Sequence, residues 1–221
     1  MSGLVRQLDR SLFTRYAVAW TYLIAVCLAE IAYVLLSGYD QAAVVRWAST
    51  SVHNLQHDPL GCIIGSAFVT TSYLLAWPAL IALALFGANH ALGNWRIAVT
   101  CIAGHVIGTV VSEGIVGYRV SHGSLPGSDR DLTDVGMSYI VAAAIAVALL
   151  YGSWLARLAA ALDLALLIFV GQIFEGLSHL QVSAVGHVTA IATGAVLGST
   201  FFWQRRGKAR ALSGHACVTR L

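Results

Sequence analysis

The chain has 221 residues and a formal net charge of +3, with 58% hydrophobic and only 10% charged residues. A soluble globular domain carries about 25% charged residues. This composition therefore excludes a soluble globular domain and predicts a single helical bundle in lipid. The four cysteines contain no CxxC spacing, which argues against a disulfide framework or a cysteine metal site.

Six apolar runs approach or exceed the roughly 20 residues that a transmembrane helix needs. Residues 1–15 carry three arginines and are followed by a long apolar run without a cleavage site, so we expect a signal-anchor helix there. Pro78 is expected to kink the second span. The predicted spans are 16–36, 62–87, 97–115, 137–151, 155–174 and 185–203. The resulting domains are a cytoplasmic segment 1–15, a membrane domain 16–203 and a basic cytoplasmic tail 204–221.

The distribution of basic residues predicts the orientation of these six spans. With the N-terminus inside, ten of the thirteen Lys and Arg residues lie in inner segments, and Arg46, Arg119 and Arg130 lie outside. The positive-inside rule therefore predicts cytoplasmic N- and C-termini. A basic cluster directly after a membrane span is typical of a topology signal that contacts anionic lipid, so we expect no nucleic-acid partner.

A serine and a histidine are predicted at the same depth in the membrane. Ser138 follows Gly136 and Met137 at the start of the fourth span, and His187 lies near the start of the sixth. Both spans run from outside to inside, so both side chains should lie just below the outer surface. Such a pair can act as nucleophile and general base. Gly194 and Gly198 lie within about 20° of His187 around the helix axis, which favours close packing of that face on a neighbouring helix.

These residues resemble the rhomboid family of intramembrane serine proteases. The resemblance rests on Gly136-x-Ser138 at a helix start and on His187 followed by Gly194 and Gly198. It implies a six-helix rhomboid-like bundle, Ser138 as nucleophile, His187 as base, no cofactor or metal, and cleavage or binding of transmembrane helices of other proteins. It further implies a multi-pass protein of the cell membrane, which we expect to be a bacterial inner membrane.

The sequence departs from the family pattern at several places around this pair. The helix-2 positions that hold the oxyanion in the family fall near Leu75 and Ala79, and neither side chain can donate a hydrogen bond. Tyr139 replaces the glycine after the serine, and Ala142 stands where an aromatic side chain packs on the histidine. Loss of one oxyanion donor typically lowers the rate by about 10²–10³, so activity requires substitute donors.

Substitute donors and a supporting carboxylate can be named from the sequence. Backbone N–H groups at the start of the fourth span form an anion site, and His53, His57 or Tyr139 can also donate. Asp134 is expected to cap the same helix start and to steady the turn at Gly136 that presents Ser138.

Three alternative functions remain open from the sequence. The missing helix-2 donors fit a rhomboid-like scaffold that binds helices without cutting them. The His53-x3-His57 spacing, in a predicted loop, suggests a metal-dependent membrane hydrolase. A proton-coupled transporter is suggested only by ionisable residues inside predicted spans. His105 and Glu113 are expected to face the bundle and to form hydrogen bonds there. Two other intramembrane acids need partners that the sequence does not name; they are Glu30 and Asp163.

Overall fold

The regular structure is helical throughout the part of the chain that can be described. The computed structural model describes the backbone of residues 12–71 and 76–218, and the side chains of these ranges up to residue 206. The α-helices within them are α1 Ala17–Val34, α2 Gly38–Ala48, α3 Val52–His57, α4 Pro59–Ser66, α5 Trp77–Leu92, α6 Asn94–Ser121, α7 Ser138–Tyr151, α8 Trp154–Phe169 and α9 Val182–Val218. Two short 3₁₀-helices lie at Gly127–Asp131 and Leu177–His179.

Three of these helices are long and apolar enough to cross a membrane. They are α1, α6 and the part of α9 from Val182 to Arg206, and α5 and α7 are shorter apolar helices. The predicted helical membrane protein is confirmed at this level, whereas the count of six spans stays a prediction. Helix α9 also continues beyond residue 203, so the predicted boundary of the basic tail at residue 204 does not coincide with a helix end.

The predicted second span, 62–87, is wrong as a single helix. Helix α4 ends at Ser66, α5 begins at Trp77, and Pro78 lies in the first turn of α5. A proline there needs no intrahelical N–H partner, and its fixed φ suits a helix start. Pro78 therefore marks where α5 begins, and the predicted kink is not found.

Two short helices, α2 and α3, lie in the predicted first loop, and a third, α4, runs from the end of that loop into the predicted second span. Each begins at a polar side chain that accepts a hydrogen bond from the backbone: Ser37 from Asp40 N, Ser51 from Asn54 N and Asp58 from Gly61 N. Such caps satisfy N–H groups that otherwise lack a partner at a helix start. Hydropathy alone does not detect helices as short as α2 and α3.

Helix α7 buries many small side chains in the bundle, and large apolar side chains of other helices cover much of its outside. The buried residues of α7 include Ala142, Ala143, Ala144, Ala146 and Ala148. Large exposed side chains include Leu28, Leu155 and Phe169, which is 81% exposed. An exposed apolar surface of this kind suits lipid, and a small-residue interior allows helices to approach closely.

The bundle has two different ends. We call the end with α2–α4 and both 3₁₀-helices the loop end, and the opposite end the turn end. At the turn end, Arg205 donates to the Ala91 carbonyl at 2.8 Å, and Arg157 donates to the Gly152 carbonyl at 3.1 Å. Three exposed tryptophans lie at this end, as an aromatic belt would place them: Trp95, Trp154 and Trp203.

Helix α1 is held to the rest of the bundle by a buried amide. Asn89 accepts a hydrogen bond from Ala19 N at 3.3 Å and donates one to the Arg15 carbonyl at 3.1 Å. Asn94 repeats this bridge by accepting from Val18 N at 3.3 Å. These bonds satisfy backbone groups at the start of α1 that lack an intrahelical partner.

Some ionisable side chains inside the bundle have hydrogen-bond partners, and others have none among the described residues. His105 Nε2 lies 3.0 Å from the Ile63 carbonyl and 3.1 Å from Ser66 Oγ, which confirms that it faces the bundle and forms hydrogen bonds there. Glu113 is also buried, but neither carboxylate oxygen has a hydrogen-bond partner among the described residues, so its predicted bonding is wrong. The same is true, among the described residues, of Glu30 Oε1 and of both Asp163 oxygens.

Candidate functional site

Ser138 and His187 line the same cavity, near the loop end. The cavity has a volume of about 240 Å³ and lies between the start of α5, the start of α7, the end of α8 and the start of α9. The wall of the cavity is mostly apolar. We call this cavity the Ser138 cavity. Its lining residues are Thr70, Ala76, Trp77, Leu80, Val135, Ser138, Leu166, Leu167, Val170, Gly171, Ile173, Ser183 and His187.

A glycine turn places Ser138 at the cavity wall. Gly136 has φ +138°, a backbone conformation that side chains disfavour, and the following Met137 is fully buried. Ser138 is the first residue of α7 and is half-buried. Because the first N–H groups of a helix have no intrahelical acceptor, the backbone amides beside Ser138 Oγ are available to bind an anion.

His187 is held in one tautomer by its own helix. Its Nδ1 donates to the Ser183 carbonyl at 2.6 Å, and Ser183 Oγ lies 3.3 Å from the same nitrogen. With the proton on Nδ1, Nε2 carries the lone pair that a general base needs. Nε2 is buried and has no hydrogen-bond partner among the described residues, so no hydrogen bond joins it to Ser138 Oγ.

Tyr139 supplies an aromatic ring against the histidine. Its ring packs edge-on to the His187 imidazole with centroids 4.9 Å apart and an interplanar angle of 83°. A Cβ on Gly186 would overlap this ring, so the glycine makes room for it. The aromatic contact expected at Ala142 is thus made from the residue directly after the serine. The Tyr139 hydroxyl donates to Asp134 Oδ2 at 2.9 Å.

Asp134 connects the segment before α7 to the first loop. Its carboxylate accepts from Tyr139 and, at 3.4 Å, from Thr50 Oγ1, and its carbonyl accepts from Thr50 N at 2.8 Å. Helix α7 has no side-chain cap, with Met137 at the N-cap position, so the predicted capping by Asp134 is not found. Burial raises the pKa of the Asp134 carboxyl, and the two side-chain hydrogen bonds act in the opposite direction.

Helix α9 packs on α7 through its small residues. A Cβ on Gly194 would lie 2.8 Å from Ala143 Cα, and one on Gly198 would lie 3.0 Å from Val147 Cγ2. Both distances are shorter than normal contact, so Gly194 allows α9 to approach the backbone of α7, and Gly198 leaves room for the Val147 side chain. This contact brings the His187 end of α9 to the Ser138 end of α7.

His53 and His57 lie apart from the Ser138 cavity and do not line it. They occupy helix α3, not the predicted loop, and their rings stack with centroids 4.3 Å apart. His57 Nδ1 is bonded to the His53 carbonyl at 2.8 Å, and His53 Nδ1 lies 3.8 Å from Asp131 Oδ1. Across the described ranges, no group of three or more His, Cys, Asp or Glu side chains is arranged to hold a metal ion.

The cavity wall contributed by α5 differs from the predicted one. Leu75 lies outside the described residues, and Ala79 is exposed and not on the cavity. The residues of this region that line the cavity with polar groups are Thr70 and Trp77. Sequence reasoning missed both, because it treated 62–87 as one helix. It also missed Ser183, although the four-residue spacing to His187 places the two on one helical face.

Comparison with known proteins gives one match. A family model described as rhomboid-like protein matches residues 13–203, which include Ser138, His187 and the whole Ser138 cavity. No curated protein and no solved structure matches the chain. Because the match covers most of the chain, this protein belongs to the rhomboid-like protein family.

Proposed function

We propose that this protein is an intramembrane serine peptidase, with Ser138 as nucleophile and His187 as general base, that acts on transmembrane helices of other proteins. The observation that carries the proposal is one cavity lined both by Ser138, at a helix start, and by His187, whose Nε2 has no hydrogen-bond partner among the described residues. Nucleophile, base and a group that orients the base are the three parts that this chemistry requires.

The reaction follows from the hydrogen bonds of His187. Ser138 Oγ attacks a peptide carbonyl and its proton passes to Nε2, while the Ser183 carbonyl stabilises the imidazolium through Nδ1–H. The oxyanion is bound by the N–H groups at the start of α7. The C–N bond then breaks, the amine leaves with the Nε2 proton, and water hydrolyses the Ser138 ester.

The one missing contact is the bond between the nucleophile and the base. Ser138 Oγ and His187 Nε2 are not hydrogen-bonded in the absence of substrate. In free enzymes this bond is often long and tightens only in the complex. We therefore assign the final alignment of Ser138 to substrate binding.

The position of the cavity fits a substrate that arrives from the membrane. Its apolar walls come from Leu80 in α5 and from Leu166, Leu167 and Val170 in and beside α8, two neighbouring helices. Five arginines with described side chains lie at or beyond the turn end, and Arg46, Arg119 and Arg130 lie towards the loop end. This distribution supports the proposal of six spans with cytoplasmic termini, in which the loop end and Ser138 lie near the outer surface of a cell membrane.

A fluorophosphonate probe tests the proposal. The purified protein should be labelled, and labelling should be lost in Ser138→Ala and in His187→Ala. Ser121→Ala, which changes an exposed serine at the end of α6, is the matched control and should be labelled like the wild type. Equal labelling of the wild type and Ser138→Ala would refute the proposal that Ser138 is the nucleophile of a peptidase.

A rhomboid-like scaffold without catalytic activity is the second candidate. Three observations favour it: the unmade bond from Ser138 to His187, the use of the Tyr139 hydroxyl by Asp134, and the alanine at position 79. It predicts no labelling, together with co-purification of membrane partners that survives Ser138→Ala. Loss of those partners in that variant would contradict it.

A further inference from the structure

The turn end of the bundle carries positive charge that the described part of the chain does not neutralise. In the described ranges no acidic side chain lies at this end, and the one ion pair, between His53 and Asp131, lies at the loop end. An anion from outside the protein would therefore meet only positive charge here. The arginines of the turn end with described side chains are Arg15, Arg96, Arg157, Arg205 and Arg206.

Two of these arginines, from opposite ends of the chain, meet at the last turn of α5. Arg15 lies just before α1, and its Nη2 donates to His90 Nδ1 at 3.2 Å. Arg205 in α9 donates from Nη1 to the carbonyl of Ala91, the next residue, at 2.8 Å. A guanidinium has five N–H groups, so both arginines keep further donors after these bonds are made. We call Arg15, His90 and Arg205 the α5-end cluster; all three side chains are exposed, so a ligand can reach them.

His90 adds a third donor to this cluster. Its Nδ1 lies 2.9 Å from the Tyr16 hydroxyl as well as 3.2 Å from Arg15 Nη2. Because a guanidinium can only donate, Nδ1 must be the unprotonated nitrogen of the ring. The proton of the imidazole is therefore on Nε2, which makes this nitrogen a hydrogen-bond donor beside the two guanidinium groups.

The α5-end cluster lies at the level where lipid headgroups begin. Interfacial tryptophans mark that level, and Arg205 lies two residues beyond the exposed Trp203 on α9, about 3 Å along the helix. One turn deeper than His90 on α5, the half-buried ring of Phe86 packs edge-on against Trp20 with centroids 4.8 Å apart. The donors thus stand above an aromatic surface that continues into the bilayer.

We propose that the α5-end cluster binds the phosphate of an anionic phospholipid of the phosphatidylglycerol type. Guanidinium groups match phosphate oxygens with paired N–H donors, and the Nε2–H of His90 supplies one more. A zwitterionic lipid suits the site less well, because no described carboxylate at the turn end can pair with its ammonium group. The aromatic surface below the cluster favours a lipid over a soluble phosphate, since it can contact the glycerol and the upper acyl chains. This binding does not depend on Ser138 or His187.

Native mass spectrometry of the purified protein in detergent tests the site. The protein is mixed with equal amounts of phosphatidylglycerol and phosphatidylcholine that have the same acyl chains, and we expect it to retain one phosphatidylglycerol in preference. Arg15→Gln and Arg205→Gln should each weaken phosphatidylglycerol binding about fivefold, the contribution of one basic side chain near anionic lipid. Arg206→Gln is the matched control, because it removes the same charge at the same end from a guanidinium that lies 4.8 Å from the Phe202 ring centroid. This variant should bind like the wild type.

The choice of two variants keeps the test valid if one of them folds poorly. Arg205→Gln loses its bond to the Ala91 carbonyl, whereas the Arg15 side chain is exposed and its contacts are to the side chains of Tyr16 and His90. Equal retention of the two lipids by the wild type, or an unchanged preference in Arg15→Gln, would overturn the proposal.

Two further outcomes would also overturn it. Equal weakening in Arg206→Gln would show that the lipid follows the general positive charge of the turn end and not this cluster. Displacement of the lipid by glycerol 3-phosphate would identify a soluble phosphate compound as the occupant. Fluorophosphonate labelling should be unchanged in all three variants, so this proposal and the peptidase fail separately.

Discussion

Replacing Gly194 by alanine should separate the two helices that bring Ser138 and His187 together. The new Cβ would lie 2.8 Å from Ala143 Cα and 3.0 Å from Ala143 C, and both are backbone atoms that no side-chain rotation can move. Carbon atoms normally pack at about 3.5–4.0 Å, so α9 must shift from α7 by roughly 1 Å. Overpacking of this kind costs about 1–3 kcal/mol in the free energy of unfolding.

Gly114→Ala is the matched control for this change. Gly114 is also a glycine inside a helix, but its added Cβ meets nothing within 4 Å. Alanine is favoured over glycine in a helix interior by roughly 0.5–1 kcal/mol, so this variant should be as stable as the wild type or slightly more so.

Thermal unfolding in detergent measures both variants. The signal is a maleimide dye that reacts with the buried thiols of Cys62 and Cys101 only after unfolding, measured in a background in which the other two cysteines, Cys27 and Cys217, are replaced by alanine. Gly194→Ala should expose these thiols at a lower temperature and should reduce fluorophosphonate labelling at Ser138. The same unfolding temperature for the two glycine variants would refute the close packing of α9 on α7.

Three further changes test the contacts around the site and the bundle. Burial raises the pKa of Asp134, so the folded state favours the protonated acid over the ionised one. The stability that protonated Asp134 gives to the fold is therefore full below a pH of about 4 and is lost as the pH rises through the folded-state pKa. Melting temperatures between pH 4 and 7 should accordingly fall in the wild type relative to Asp134→Asn. Tyr139→Phe removes a hydrogen bond to that buried acid and should cost about 1–3 kcal/mol in chemical denaturation. Asn89→Ala leaves Ala19 N and the Arg15 carbonyl without partners and should increase proteolysis near the start of α1, whereas unchanged digestion would contradict the bridge.

Hydropathy predicted the apolar helices well where one helix is one continuous apolar run. The predicted spans 97–115 and 137–151 fall on α6 and α7, with ends that differ by a few residues. The span 62–87 failed because its composition is uniformly apolar, while the helix start is determined locally by Pro78. Helices α2 and α3 were missed because they are short and lie in a polar segment, where side-chain caps mark their starts.

The candidate site was predictable only in part, because some of its contacts depend on how the helices pack. Ser138 and His187 were singled out because the predicted topology gave both the same depth; they line one cavity, and their catalytic role stays a prediction. The position of Tyr139 against His187 was not predicted, because it depends on the space left by Gly186 on another helix. The ring of Tyr139 and the absent side chain of Gly186 lie on different helices, so their fit can be seen only once the helices are packed.

The most direct test of the central claim is an experimental structure of the protein after reaction with a fluorophosphonate. We expect the phosphorus atom to be bonded to Ser138 Oγ, with His187 Nε2 about 3 Å from that oxygen and the phosphoryl oxygen facing the first N–H groups of α7. A phosphorus atom on another serine, or an imidazole still remote from Ser138 Oγ in the adduct, would contradict the catalytic pair.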